Sequence, residues 1–137
     1  MRIREHVVLT IVMVALWLGR DELINLLAFS IGSILIDIDH PLDFFIIYHR
    51  PTFSITELSK LLEGRKNVFL PFHSMEVILS VLLYAVCTTN HFLGFMAVGM
   101  MFHFTVDIIT NGYPTFLSIF LTYRLTKWRD MFRFKTQ

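Results

Sequence analysis

Four apolar stretches, Val7–Gly19, Leu23–Ile36, Val68–Cys87 and Phe92–Ile109, occupy nearly half of the 137 residues. They are rich in Leu, Met, Phe and Ala, and none alternates apolar with polar residues over the length of a strand, so the chain reads as helical. The first two are about 13–14 residues each, roughly 20 Å as helix. Only Gly19-Arg20-Asp21-Glu22 separates them, which predicts an antiparallel hairpin. The third is long enough to span a bilayer, for which about 20 apolar residues suffice. The fourth follows Asn90, a helix-capping residue type. The expected fold is all-α: a small membrane helical bundle of about four main helices with a polar metal site at one end.

Composition agrees with that expectation. The chain is 55% hydrophobic and 17% charged, with a mean hydropathy of +0.61, against roughly 45–50% and about 25% in soluble domains. So much apolar surface excludes disorder, and the length fits a single domain over 1–137. A net charge of +1 gives no reason to expect a nucleic-acid partner. The one cysteine, Cys87, excludes both an intrachain disulfide and a Cys-based zinc site. The opening MRIREH before VVLTIVMVALWLG is built like a signal peptide, but no small-x-small cleavage site follows, which favours a retained helix. The polar stretch Tyr48–Asn67 contains a capping box, Ser54 with Glu57, that predicts a short helix over Ser54–Leu62. Asn111-Gly112 and Tyr113-Pro114 predict a turn. Beyond it, 115–137 mixes apolar residues with Arg124, Lys127, Arg129, Arg133 and Lys135. This basic amphipathic segment suits an anionic membrane surface; packing on the bundle is the alternative. Arg2, Arg4 and the basic tail place both termini in the cytoplasm under the positive-inside rule.

Ionisable groups on apolar helices are costly in lipid and therefore face partners, metal or water. Here they gather where the helices begin or end. His6 opens the first helix, and Asp37, Asp39, His40 and Asp43 close the second. His73 and Glu76 open the third, and His103 and Asp107 lie near the end of the fourth. In an up-down-up-down bundle all four clusters meet at one end. His91 falls at the opposite end, and His49 sits at a segment edge. His103 and Asp107, four residues apart, share a helical face. Taken singly, each of these residues has an ordinary structural explanation, such as a hydrogen-bonded interior histidine or an acid at a helix end. Asp-x-Asp-His is harder to explain that way, because like charges so close are unfavourable without a cation. The expected ligands are His6, Asp37, Asp39, His40, His73, His103 and Asp107, with Asp37 as bridging ligand or general base. Glu76 is a secondary candidate, as an acceptor behind His73. Imidazole and oxygen donors favour zinc, with manganese and iron as other ions such a set suits. Two or more ions would fit.

Gly32-Ser33 before Asp37-Ile38-Asp39-His40-Pro41, then His73-Ser74, then His103-x3-Asp107-x2-Thr110 with Gly112, form a recognisable set. With these strings and the early His6, the chain resembles the small bacterial and archaeal inner-membrane proteins described as LexA-regulated, membrane-bound, metal-dependent hydrolases. That family is itself remotely similar to zinc-dependent phospholipase C. The resemblance implies a helical bundle holding a multi-zinc cluster that hydrolyses phosphodiesters. It covers His6 to Gly112. This chain has Glu5-His6 and Phe72-His73 where the family commonly shows Thr-His, and Ile36 where a proline often precedes the first aspartate.

Two functions are therefore expected to compete. One is a multi-pass inner-membrane hydrolase that uses metal-activated water on a phosphoester, with a lipid or lipid-linked molecule as substrate. The other is a non-catalytic membrane scaffold or partner protein whose metal clamps short helices together. An exchangeable water position would distinguish them. Ion transport fits less well, since the charges gather at one end rather than near the midplane.

Overall fold

The protein was analysed as a computed structural model, which describes residues 3–20, 22–49, 54, 70–111 and 119–126, with side chains at 3–6, 47 and 111 outside the description. Helix α1 runs over Ile3–Trp17 and α2 over Leu23–Leu35, followed by a 3-10 turn at Ile36–Ile38. Then come α3 (Asp39–Tyr48), α4 (Met75–Cys87) and α5 (His91–Asn111), with a further helical turn over 121–126. No strand occurs among the described residues, and the fold is an all-α bundle. The expected helix at Ser54–Leu62, the turn at 112–115 and most of 115–137 fall outside the described residues.

Local chemistry sets the boundaries. Gly19 takes the left-handed conformation (φ 84) that closes the α1–α2 hairpin, and the Arg20 N–H donates to the Trp17 carbonyl at 2.9 Å. The cap expected at Asn90 is formed: its Oδ1 accepts from the Leu93 N–H at 3.0 Å. Ser74 starts α4 by accepting from the Val77 N–H. That helix therefore begins at Met75, later than the apolar run from Val68 suggests. The second helix does not stop at the acidic cluster. After the 3-10 turn the chain resumes helix straight through Pro41. Proline is tolerated there because it lies in the first turn of α3, where its missing N–H removes no internal bond. His49, in the left-handed region (φ 53), ends α3.

The principal helix pair is α2 with α5; α4 packs on α5 and α1 on α2. Their crossing depends on two glycines. A Cβ on Gly32 would overlap the Met96 carbonyl, and one on Gly99 would overlap the Phe29 carbonyl. At that crossing the Phe29 ring packs against Trp17 and Phe102, with centroids 5.6 Å away in each case. Toward the other end lies the core of Ile36, Ile78, Met100, Phe104 and Ile119. Helix rise puts Asp37 about 21 Å beyond Leu23, and puts His103 about 18 Å beyond His91 and Met75 about 18 Å beyond Cys87. Three helices therefore deliver their polar residues to one level.

The outside is apolar. Leu23–Ile46 and His91–Thr110 are long and apolar enough to cross a membrane, and Val7–Trp17 and Met75–Cys87 are shorter apolar helices. Only 39% and 33% of the two longer windows is buried within the protein, so most of each faces outward. Val8, Ile11, Leu16, Leu83 and Ile109 are among the large exposed residues.

Gly32→Ala and Gly99→Ala should each destabilise the fold by about 1–3 kcal/mol through overpacking. Gly94, on the same helix as Gly99, faces open space, so Gly94→Ala should be neutral or stabilising. Thermal unfolding in detergent of the three variants checks this.

Candidate metal centre

Gly99 and His103 are one helical turn apart on α5, and Gly32 and Ser33 are adjacent on α2. The close crossing therefore brings the His103 ring onto α2, where its Nδ1–H donates to the Ser33 carbonyl at 2.7 Å. With the proton on Nδ1, Nε2 presents its lone pair to the carboxylates of Asp37 Oδ1, at 3.3 Å, and Asp107 Oδ2, at 3.6 Å. Asp107 is there because it is four residues from His103 on the same helix.

His73 arrives from the opposite side, on the loop before α4. Asp39 fixes it twice: Oδ2 accepts from the His73 backbone N–H at 3.0 Å and from its Nδ1–H at 3.1 Å. That again leaves Nε2 as the lone-pair nitrogen. It is buried without a hydrogen-bond partner, 3.7 Å from Asp37 Oδ1 and 3.4 Å from Asp107 Oδ2.

Two imidazole nitrogens and two carboxylate oxygens thus alternate around the site, with imidazole-to-carboxylate separations of 3.3–3.7 Å. Ligands held about 2.0–2.1 Å from a zinc ion lie about 3.3–3.4 Å from one another in a tetrahedron, close to these nitrogen–oxygen distances. Asp37, His73 and His103 are close enough to one another to hold a metal, and Asp107 flanks the two imidazoles. Hydrogen bonds behind both imidazoles are what metal-binding histidines generally require.

The 3-10 turn selects which acid faces this centre. With three residues per turn, positions 37 and 40 stack, and His40 Nε2 lies 3.4 Å from Asp37 Oδ1. The His40 ring is also 5.2 Å from that of His73. Asp37 therefore faces imidazoles from three segments. Asp39, two residues on, lies behind His73, fully buried, with Oδ1 free of any hydrogen bond. Asp43 is buried one turn further along α3.

Of the remaining candidates, His6 belongs to α1, and its side chain is outside the description. Glu76 does not touch His73; its carboxylate accepts from the Leu121 and Thr122 N–H groups at 2.8 and 3.2 Å and from Thr122 Oγ1 at 3.2 Å. His49 and His91 are exposed, and His91 begins α5 at the far end. One participant, Ser33, enters the sequence reading only through the string Gly32-Ser33. It contributes its main-chain carbonyl, and its hydroxyl shares a 2.7 Å hydrogen bond with Thr10.

No known family profile, curated protein or solved structure matches this chain.

Burial disfavours a charged imidazole at His73. The carboxylates of Asp107, Asp39 and Asp37 around the ring outweigh that effect and raise its pKa above 6.5. Without metal, His73 thus contributes stability that is fully present below about pH 6.5 and is lost as pH rises through the raised folded value. A metal needs the neutral ring, so it competes with that proton. Zinc affinity should weaken as pH falls through the neutral range, and binding should release a proton. Calorimetry in buffers of different ionisation enthalpy measures both.

Proposed function

We propose that the protein is a membrane-bound, metal-dependent hydrolase of a phosphoester, with zinc as the preferred ion. The reading rests on a gradient of exposure across the donor set. The side chains of His103 and His73 are 0% and 1% exposed, Asp107 is 9% exposed and Asp37 is 17% exposed. The imidazole side is sealed, and the carboxylate side reaches the surface, where a substrate can approach.

When bound, a divalent ion would supply a water of lowered pKa and a Lewis acid for a phosphoryl oxygen. The chain's own residues divide the remaining work. His73, His103, Asp37 and Asp107 would hold the ion. Asp39 and the Ser33 carbonyl keep both rings in the tautomer that presents Nε2. Asp37 is the most exposed of the four and is assigned as the proton acceptor, with His40 orienting it. The apolar exterior supports a multi-pass location in the inner membrane and a lipid or lipid-linked substrate that reaches the site from the bilayer.

A structural clamp is the second reading, and one observation favours it. Asp107 Oδ2 lies 3.4 and 3.6 Å from the two Nε2 atoms, and as a fourth ligand beside Asp37, His73 and His103 it would complete the coordination number of structural zinc, whereas catalytic sites usually keep one position for water.

Metal analysis of detergent-purified protein, with assays on phosphodiester and phospholipid substrates, decides between them. The hydrolase reading expects bound zinc, its loss in His103→Ala, and turnover reduced about 100-fold or more in Asp37→Asn. Wild-type protein with full zinc, no turnover and no response of its cobalt spectrum to azide would establish the clamp. Protein without transition metal under non-chelating conditions would sink both.

A further inference from the structure

Residues 119–126 lie more than 40 residues beyond His73, yet they are tied to both sides of it. Three residues before it, the Leu70 carbonyl accepts a hydrogen bond from Arg124 Nη1 at 2.9 Å, with Arg124 itself buried. Three residues after it, Glu76 accepts three hydrogen bonds from Leu121 and Thr122. Ile119 then anchors the segment in the core beside Ile36, Ile78 and Phe104. Ile36 immediately precedes Asp37, and Phe104 follows His103.

The loop needs this help. Residues 70–74 are not helical, so the backbone there has no ladder to hold it. What holds it is side chains: Arg124 on Leu70, Ser74 on the Pro71 carbonyl, and Asp39 on the His73 N–H. His103 and Asp107, by contrast, ride on a 21-residue helix. His73 is the ligand whose placement depends on loop geometry.

We propose that segment 119–126 is a positioning element of the metal centre, with Glu76 and Arg124 as positioning residues that set His73 relative to Asp37 and Asp107. Neither touches the ion. Their effect passes through the 70–74 loop, and a fraction of an ångström at His73 Nε2 changes its distance from the other donors. The inference rests on the metal reading, and its test separates the two.

Glu76→Ala, Glu76→Gln and Arg124→Lys are to be compared with wild type by zinc affinity, cobalt d–d spectrum and hydrogen exchange of the loop amides. Glu76→Ala should lose about tenfold in zinc affinity, the low end of the range for residues that orient ligands. It should also shift the cobalt spectrum and speed exchange at the His73 amide while α5 stays protected. Glu76→Gln, which keeps a carbonyl acceptor, should recover part of each effect. Arg124→Lys, which keeps one donor for Leu70, should behave similarly and guards against misfolding of the harsher variant. Unchanged affinity, spectrum and loop exchange in Glu76→Ala would overturn the proposal. So would a uniform rise in exchange across α5 and the loop, since that is general destabilisation. If wild-type protein binds no zinc or cobalt, the metal reading fails, and loop exchange alone then judges the positioning role.

Discussion

Helices that meet through ordinary side chains stand about 8–10 Å apart, and α2 and α5 lie closer than side chains allow. Gly32 abuts the Met96 backbone and Gly99 abuts the Phe29 backbone. The site follows from that approach. The His103 ring reaches the Ser33 main-chain carbonyl where the two helices nearly touch. The same crossing leaves Asp107 facing Asp37 across the imidazoles. A larger residue at either glycine would separate His103 from its acceptor before it disturbed any ligand directly.

The electrostatics explain why this arrangement calls for a cation. Asp37 and Asp107 converge in a largely buried space, with Asp39 behind them. Burying a carboxylate without compensation is expensive, and breaking a buried ion pair costs about 3–5 kcal/mol. Two neutral imidazoles and two carboxylates around a divalent ion sum to zero charge. In the metal-free state a proton on His73 offsets only one of those two negative charges. The proton and the metal need the same nitrogen, so they exclude each other.

The helices were legible because their signals are local: apolar runs, Asn90 as a cap, Gly19 at the hairpin. The clustering of ionisable residues at helix ends was legible too, because alternating helix direction carries those ends to one place. What the sequence could not resolve is orientation within a cluster. Asp37 and Asp39 are equivalent in the string Ile36-Asp37-Ile38-Asp39-His40. One faces the donor set and the other backs His73 because a 3-10 turn interrupts the helix there, and no residue type announces that turn. Glu76 shows a related limit. Its proximity to His73 in sequence points to that ring as a partner, whereas its carboxylate accepts from the Leu121 and Thr122 N–H groups some 45 residues away. Ser33 acts through its carbonyl, a group every residue has.

The level of the site bears on what surrounds it. Three helices place the donors about 18–21 Å from the turns at Gly19–Glu22 and Thr88–Asn90, whereas a bilayer's hydrocarbon core is about 30 Å thick. A bilayer with those polar turns at one boundary would enclose the donors and the 70–74 loop. Non-helical backbone at such depth persists only where protein groups satisfy it. The Leu70 and Pro71 carbonyls and the His73 N–H are bonded to Arg124, Ser74 and Asp39. Buried backbone groups are paired in soluble proteins too, and Leu70, His73 and Ser74 are buried here. The same hydrogen bonds that place His73 thus also make the loop compatible with an apolar surrounding.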